Sequence, residues 1–103
     1  MFFEGSLNAE SPGQTPPEYR LSQNFPNPFN PTTTIEFAMA RAEHVRLAVY
    51  DLLGRELALL ADEPMSSGTH RVQFDAEALP SGTYYYRLET SGFSQTRRMV
   101  LVR

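Results

Sequence analysis

Leu79-Pro80-Ser81-Gly82-Thr83-Tyr84-Tyr85-Tyr86-Arg87-Leu88 is the stretch whose reading decides the fold class. Pro80 and Gly82 mark a turn, since proline fixes φ and glycine accepts backbone angles closed to other residues. Past the turn, Tyr84, Tyr86 and Leu88 alternate with Tyr85, Arg87 and Glu89, which is the period of a half-buried strand. A tyrosine just after a turn, entering a late strand, meets the requirement of a tyrosine corner. Its ring fills core while its hydroxyl bonds backbone upstream. Tyr84 therefore points to a β-sandwich.

The same period recurs on both sides of this stretch. In Thr32–Met39, Ile35, Phe37 and Met39 alternate with Thr34, Glu36 and Ala38; further on, Val45, Leu47 and Val49 alternate with Arg46, Ala48 and Tyr50. Asp51 and Gly54 mark a tight turn into a strand over Glu56–Leu60, and Pro64–Gly68 reads as a loop. Val72 and Phe74 define a strand over Thr69–Asp75, Ser91-Gly92 turns the chain, and Gln95–Val102 closes it. Asp75–Leu79 offers the one helical turn, which Pro80 stops. With Tyr19–Gln23 as a short edge strand, the chain predicts an all-β fold. The expectation is a seven-stranded antiparallel β-sandwich, immunoglobulin- or fibronectin-III-like.

Composition narrows the function classes. The 103 residues suit one domain, and the absence of cysteine removes disulfide scaffolds and cysteine-ligated metal sites. Glu4, Glu10 and Glu18 precede the first basic residue, and the remaining nine acids match nine arginines, so the net charge of −3 sits in the leading segment. A neutral body has no general attraction for nucleic acid, and no apolar run reaches the ~20 residues of a membrane span. Met1-Phe2-Phe3-Glu4 does not read as a signal peptide. Residues 1–18, rich in Pro, Gly and Ser, read as a flexible linker or trimmed tail ahead of a sandwich domain over 19–103.

One loop is unusually stiff. Gln23-Asn24-Phe25-Pro26-Asn27-Pro28-Phe29-Asn30-Pro31 holds three prolines and three asparagines. Asn27 and Asn30 precede prolines, so their side chains can bond nearby backbone in a non-helical turn. Phe25 and Phe29 are expected to anchor this ribbon on the sandwich. Asn30-Pro31-Thr32 is not a glycosylation acceptor, because proline fills its middle position.

These residues resemble a known family. The run from Tyr19 through Asn24, Pro26, Asn27, Pro28, Phe29, Asn30 and Pro31 to Ile35 is similar to the opening motif of type IX secretion system C-terminal sorting domains, the Por secretion tails. Val49-Tyr50-Asp51-Leu52-Leu53-Gly54-Arg55 resembles their middle motif, and Leu79–Leu88, with Gly82 and Tyr84, resembles the third. Arg97-Arg98-Met99-Val100-Leu101-Val102-Arg103 is similar to their closing strand, with Arg where members often carry Lys.

The resemblance implies an address rather than a chemistry. It implies a non-catalytic signal on a cargo protein, read by outer-membrane secretion machinery, with periplasmic transit and delivery to the cell surface or medium. A sortase-like protease would then remove the domain, or exchange it for a surface anchor, cutting before Tyr19. Arg97, Arg98, Val100, Leu101, Val102 and Arg103 are the candidate contacts with the translocon, and a dimer through an edge strand is a further expectation. No cofactor is implied.

Other readings are distinguishable. Ser67, His70 and Asp75 could be assembled into a hydrolytic triad, but no nucleophile elbow accompanies them. His44 and His70 are isolated in sequence, and Asp62-Glu63 reads as a solvated loop. Tyr50 and Tyr85 fall on the face opposite Val49 and Tyr84, where exposed rings could stack sugars or meet a partner. A carbohydrate-binding or surface-adhesion module, or a flagellar hook-capping immunoglobulin-like domain, is the alternative.

Overall fold

In the computed structural model, which describes residues 18–103, the alternating runs become seven strands. These are β1 (Arg20–Leu21), β2 (Thr32–Met39), β3 (Glu43–Tyr50), β4 (Glu56–Met65), β5 (Gly68–Asp75), β6 (Gly82–Glu89) and β7 (Ser94–Leu101). They form two antiparallel sheets, ordered β1-β2-β5 and β4-β3-β6-β7, and no helix occurs among the described residues. The leading-segment reading falls on residues outside those described, apart from Glu18.

Period-2 patterning sets which side chains meet between the sheets. Ile35, Phe37 and Met39 of β2 enter from one sheet, and Val45, Leu47 and Val49 of β3 from the other. Tyr84, Tyr86 and Leu88 of β6, with Met99 and Leu101 of β7, complete the core. All of these are buried, as the alternation requires.

Three local expectations change. Only Arg20–Leu21 pairs as a strand, because the pairing with β2 then slips by one residue before Phe25 meets Thr34, and Asn24 turns inward to a buried site. Strand β4 runs through Pro64 to Met65, where a loop was expected. Proline is tolerated there because β4 is an edge strand whose outer side needs no donor. Asp75–Leu79 is a turn and not a helix: the Asp75 carboxylate accepts from Glu77 N–H at 2.9 Å, and Leu79 N–H donates to Ala76 carbonyl at 3.0 Å.

Candidate recognition surface

Tyr84 and Tyr86 of β6 both use their hydroxyls. Tyr84 donates to the Pro80 carbonyl at 2.6 Å, the corner the sequence anticipates. Tyr86 does more, and its side chain crosses the core. Its hydroxyl donates to the Ser22 carbonyl at 2.6 Å and accepts from Asn24 N–H at 2.7 Å. Burial pushes the Tyr86 phenol up to about 12, so it stays neutral. One side chain thus ties the four-stranded sheet to the chain leaving β1.

That chain is the proline-rich loop, and it lies along the last strand. Phe29 N–H donates to Val100 carbonyl at 3.0 Å, and Val102 N–H donates to Phe29 carbonyl at 2.9 Å. Asn27 Oδ1 accepts from Val100 N–H at 3.0 Å, while Gln23 donates to the Arg98 carbonyl at 2.6 Å. Buried Asn24 donates to the Pro26 carbonyl at 3.1 Å and to Thr33 Oγ1 at 3.0 Å, and Thr33 closes the triangle on Pro26 at 2.8 Å. Asn24 thus makes the bonds within the loop, whereas Asn27 reaches across to the backbone of β7. Phe29 anchors the loop in the core, as expected. Phe25 does not: it stands 78% exposed, because its backbone pairs with Thr34, whose side chain lies on the outward face of β2, and this directs the ring to solvent.

The middle motif is a rigid presenting turn. Asp51 Oδ1 accepts from the N–H groups of Leu53 (2.8 Å) and Arg55 (3.0 Å), and Arg55 Nε donates to Asp51 Oδ2 at 2.7 Å. Gly54 takes φ +83°, a left-handed angle that suits glycine. Hydrogen bonds from Arg55, backbone foremost, lower the Asp51 carboxyl below its usual range. The turn holds Leu52 and Leu53 at 66% and 78% exposure beside Ser81 and Gly82.

Of the six candidate translocon contacts, Leu101 is buried in the core, whereas Arg98, Val102 and Arg103 are exposed and Val100 is partly covered. Arg97 is half-buried and donates to the Leu21 carbonyl. Arg103 Nη1 donates to the carbonyls of Ala76 (3.1 Å), Glu77 (2.6 Å) and Leu79 (2.8 Å), and Arg103 N–H reaches Ser81 Oγ at 2.9 Å. The end of the chain is thus part of the folded surface. Sequence reasoning missed these locks because each joins residues more than 20 positions apart, and nothing in local pattern signals them.

Tyr50 and Tyr85 sit directly opposite each other on β3 and β6, both half-buried. The Arg87 guanidinium lies 4.7 Å from the centre of the Tyr50 ring, covering a face that a sugar would need. The Ser67–His70–Asp75 reading finds no support either: His70 contacts the Ser66 carbonyl at 2.8 Å and stacks on Phe37, while Asp75 caps its own turn. His44 instead contacts Asp62 across β3 and β4. Among the described residues, no group of three His, Asp or Glu side chains is placed to hold a metal.

A family described as "Secretion system C-terminal sorting domain" matches residues 23–102. The fold is similar to PorZ of Porphyromonas gingivalis, described as an essential bacterial surface component of the type-IX secretion system, at 25% identity and TM-score 0.56. It covers 79% of this chain and 11% of PorZ. Dimeric latent PorU from the same organism shares the fold at 19% identity and TM-score 0.59, over 93% of this chain and 10% of PorU. The chain thus spans about a tenth of either neighbour. No curated protein matches it.

Proposed function

Since the chain belongs to the secretion system C-terminal sorting domain family, we propose that it is a non-catalytic signal that directs a covalently attached cargo through the outer-membrane type IX translocon. Residues 19–103 form the signal module, and residues 1–18 tether it to cargo. The strand order β1-β2-β5 over β4-β3-β6-β7 supports an immunoglobulin-like sandwich of the fibronectin-III kind. In this reading, cargo crosses the periplasm, passes the outer membrane and reaches the cell surface or medium. There a sortase-like protease cuts the tether and releases the cargo or attaches it to a surface anchor.

The observation that carries the reading is the build of the last strand. Residues Arg98–Arg103 are woven into the loop at Gln23–Phe29 and the turn at Ala76–Ser81, so the machinery meets a shaped surface and not a loose tail. Arg98, Val102 and Arg103 are the accessible side chains of that surface, and Leu52-Leu53 projects from the same end of the sandwich.

Substitution separates recognition from folding. Arg98→Glu combined with Val102→Asp changes exposed side chains on an intact sandwich. Export of a fused reporter from a type IX-competent bacterium should fall, while the domain's melting temperature stays near that of the parent. Undiminished export by the double variant would refute recognition at this surface.

A further inference from the structure

A two-sheet sandwich exposes strand edges, and folded proteins normally blunt them. In this domain three of the four edges are blunted. The edge at β7 is covered over Arg98–Val102 by the Gln23–Phe29 segment. The edge at β4 carries Pro64, Glu56, Asp62 and Glu63, and its pairing with β3 shifts register twice. The edge at β1 is two residues long.

The edge at β5 is different. Gly68–Asp75 pairs with β2 in eight consecutive registers with no shift, and it contains no proline. Among the described residues β2 is its one hydrogen-bonded neighbour. Its other side therefore presents a straight row of backbone donors and acceptors, the template for strand addition.

Charge along β5 selects the occupant. Thr69, Arg71, Gln73 and Asp75 share the solvent face, and all four are exposed. An antiparallel copy of the same strand, with Gln73 opposite Gln73 on a two-fold axis, sets Arg71 opposite Asp75 and Asp75 opposite Arg71. Directly opposed side chains lie about 5 Å apart at Cβ, close enough for both pairs to form. On the inner face the same register sets Val72 against Phe74, so the apolar layers continue across the join. Arg71, which meets Glu36 at 3.0 Å, remains 72% exposed in its side chain and can serve both carboxylates.

We propose that β5 is a homodimerisation edge: two copies of this chain pair their β5 strands antiparallel about Gln73, and the three-stranded sheets fuse into one of six. The contact is isologous, as a closed two-fold dimer demands. Arg98 of β7 and the β3–β4 turn at Leu52-Leu53 belong to the other sheet, so dimer formation and export are independently testable.

Sedimentation equilibrium on the full 103-residue chain, from micromolar to millimolar, tests it. The parent should show reversible monomer–dimer association. Arg71→Glu alone and Asp75→Arg alone should each weaken association by about tenfold or more, each placing like charges opposite. The double variant R71E/D75R restores opposite pairs and should recover dimerisation. Circular dichroism of each variant should match the parent. A parent that stays monomeric at millimolar concentration overturns the proposal. So does a dimer indifferent to both single changes, or a double variant that fails to recover; either outcome would assign the contact to another edge or partner.

Discussion

The Tyr86 hydroxyl lies 2.6 Å from the Ser22 carbonyl oxygen, a hydrogen bond that spans 64 positions of sequence and joins the two sheets through the core. Tyr86 is fully buried, so the bond has no water to replace it. The sandwich is closed at this point by a polar contact inside an apolar layer.

Tyr86→Phe keeps the ring and removes the oxygen. The Ser22 carbonyl and Asn24 N–H lose their partner, which should cost about 1–3 kcal/mol, a sizeable share of the ~5–15 kcal/mol typical of a domain. The alkaline limb checks the same contact. The folded phenol titrates at about 12 against 10 for a free one, so the unfolded chain ionises first and stability falls as pH rises between these values. Thermal melts of the parent should show this loss, and those of Tyr86→Phe should show less of it. Equal alkaline slopes would contradict the assignment.

The two asparagines of the loop should differ. Asn24 is buried with two donors engaged, so Asn24→Ala should cost about 1–3 kcal/mol. Asn27 is exposed and contributes one acceptor to Val100 N–H, so Asn27→Ala should cost about 0.5–1.5 kcal/mol. Urea melts that reverse this order would show that the loop is pinned from the outside.

Asp51 predicts an acid-side effect. Its carboxyl is lowered chiefly by Arg55, so the stabilisation is complete above the unfolded value near 4 and is lost as pH falls through the lower folded value. Asp51→Asn should melt below the parent at neutral pH, and the two curves should converge at strongly acid pH. A constant gap down to the acid limit would rule out charge as the cause.

Deleting residues 100–103 should unfold the domain rather than merely blind the machinery. The cut removes the buried Leu101 side chain, worth about 2–5 kcal/mol, the Phe29 ladder, and the Arg103 bonds to three carbonyls. Circular dichroism of the truncated chain should show lost cooperativity at ambient temperature. A parent-like melt would show that the last residues are dispensable to the fold, which would restore truncation as a clean export test.

Much of this fold was legible because period-2 alternation states burial directly: Ile35, Phe37, Val45, Val49, Tyr84 and Leu88 lie inside as their spacing requires. Tyr84 could be placed in a corner because turn and tyrosine adjoin in sequence. Pro64 misled because the penalty against proline in strands vanishes at an outer edge, and edge status belongs to topology. Phe25 misled because apolar character does not say which way a ring points once the backbone direction is fixed by pairing with Thr34. The weave of residues 98–103 through the proline-rich loop was invisible to any local pattern. The burial of Leu101 in the core became plain only with it.

Sufficiency for export tests the central claim most directly. A secreted reporter with its own signal peptide would be fused ahead of residues 19–103 and produced in a type IX-competent bacterium, with a translocon-deficient strain as control. Reporter at the surface or in the medium of the first strain, and retained by the second, is the predicted result. Retention in both strains, with the fused domain folded, would contradict the account.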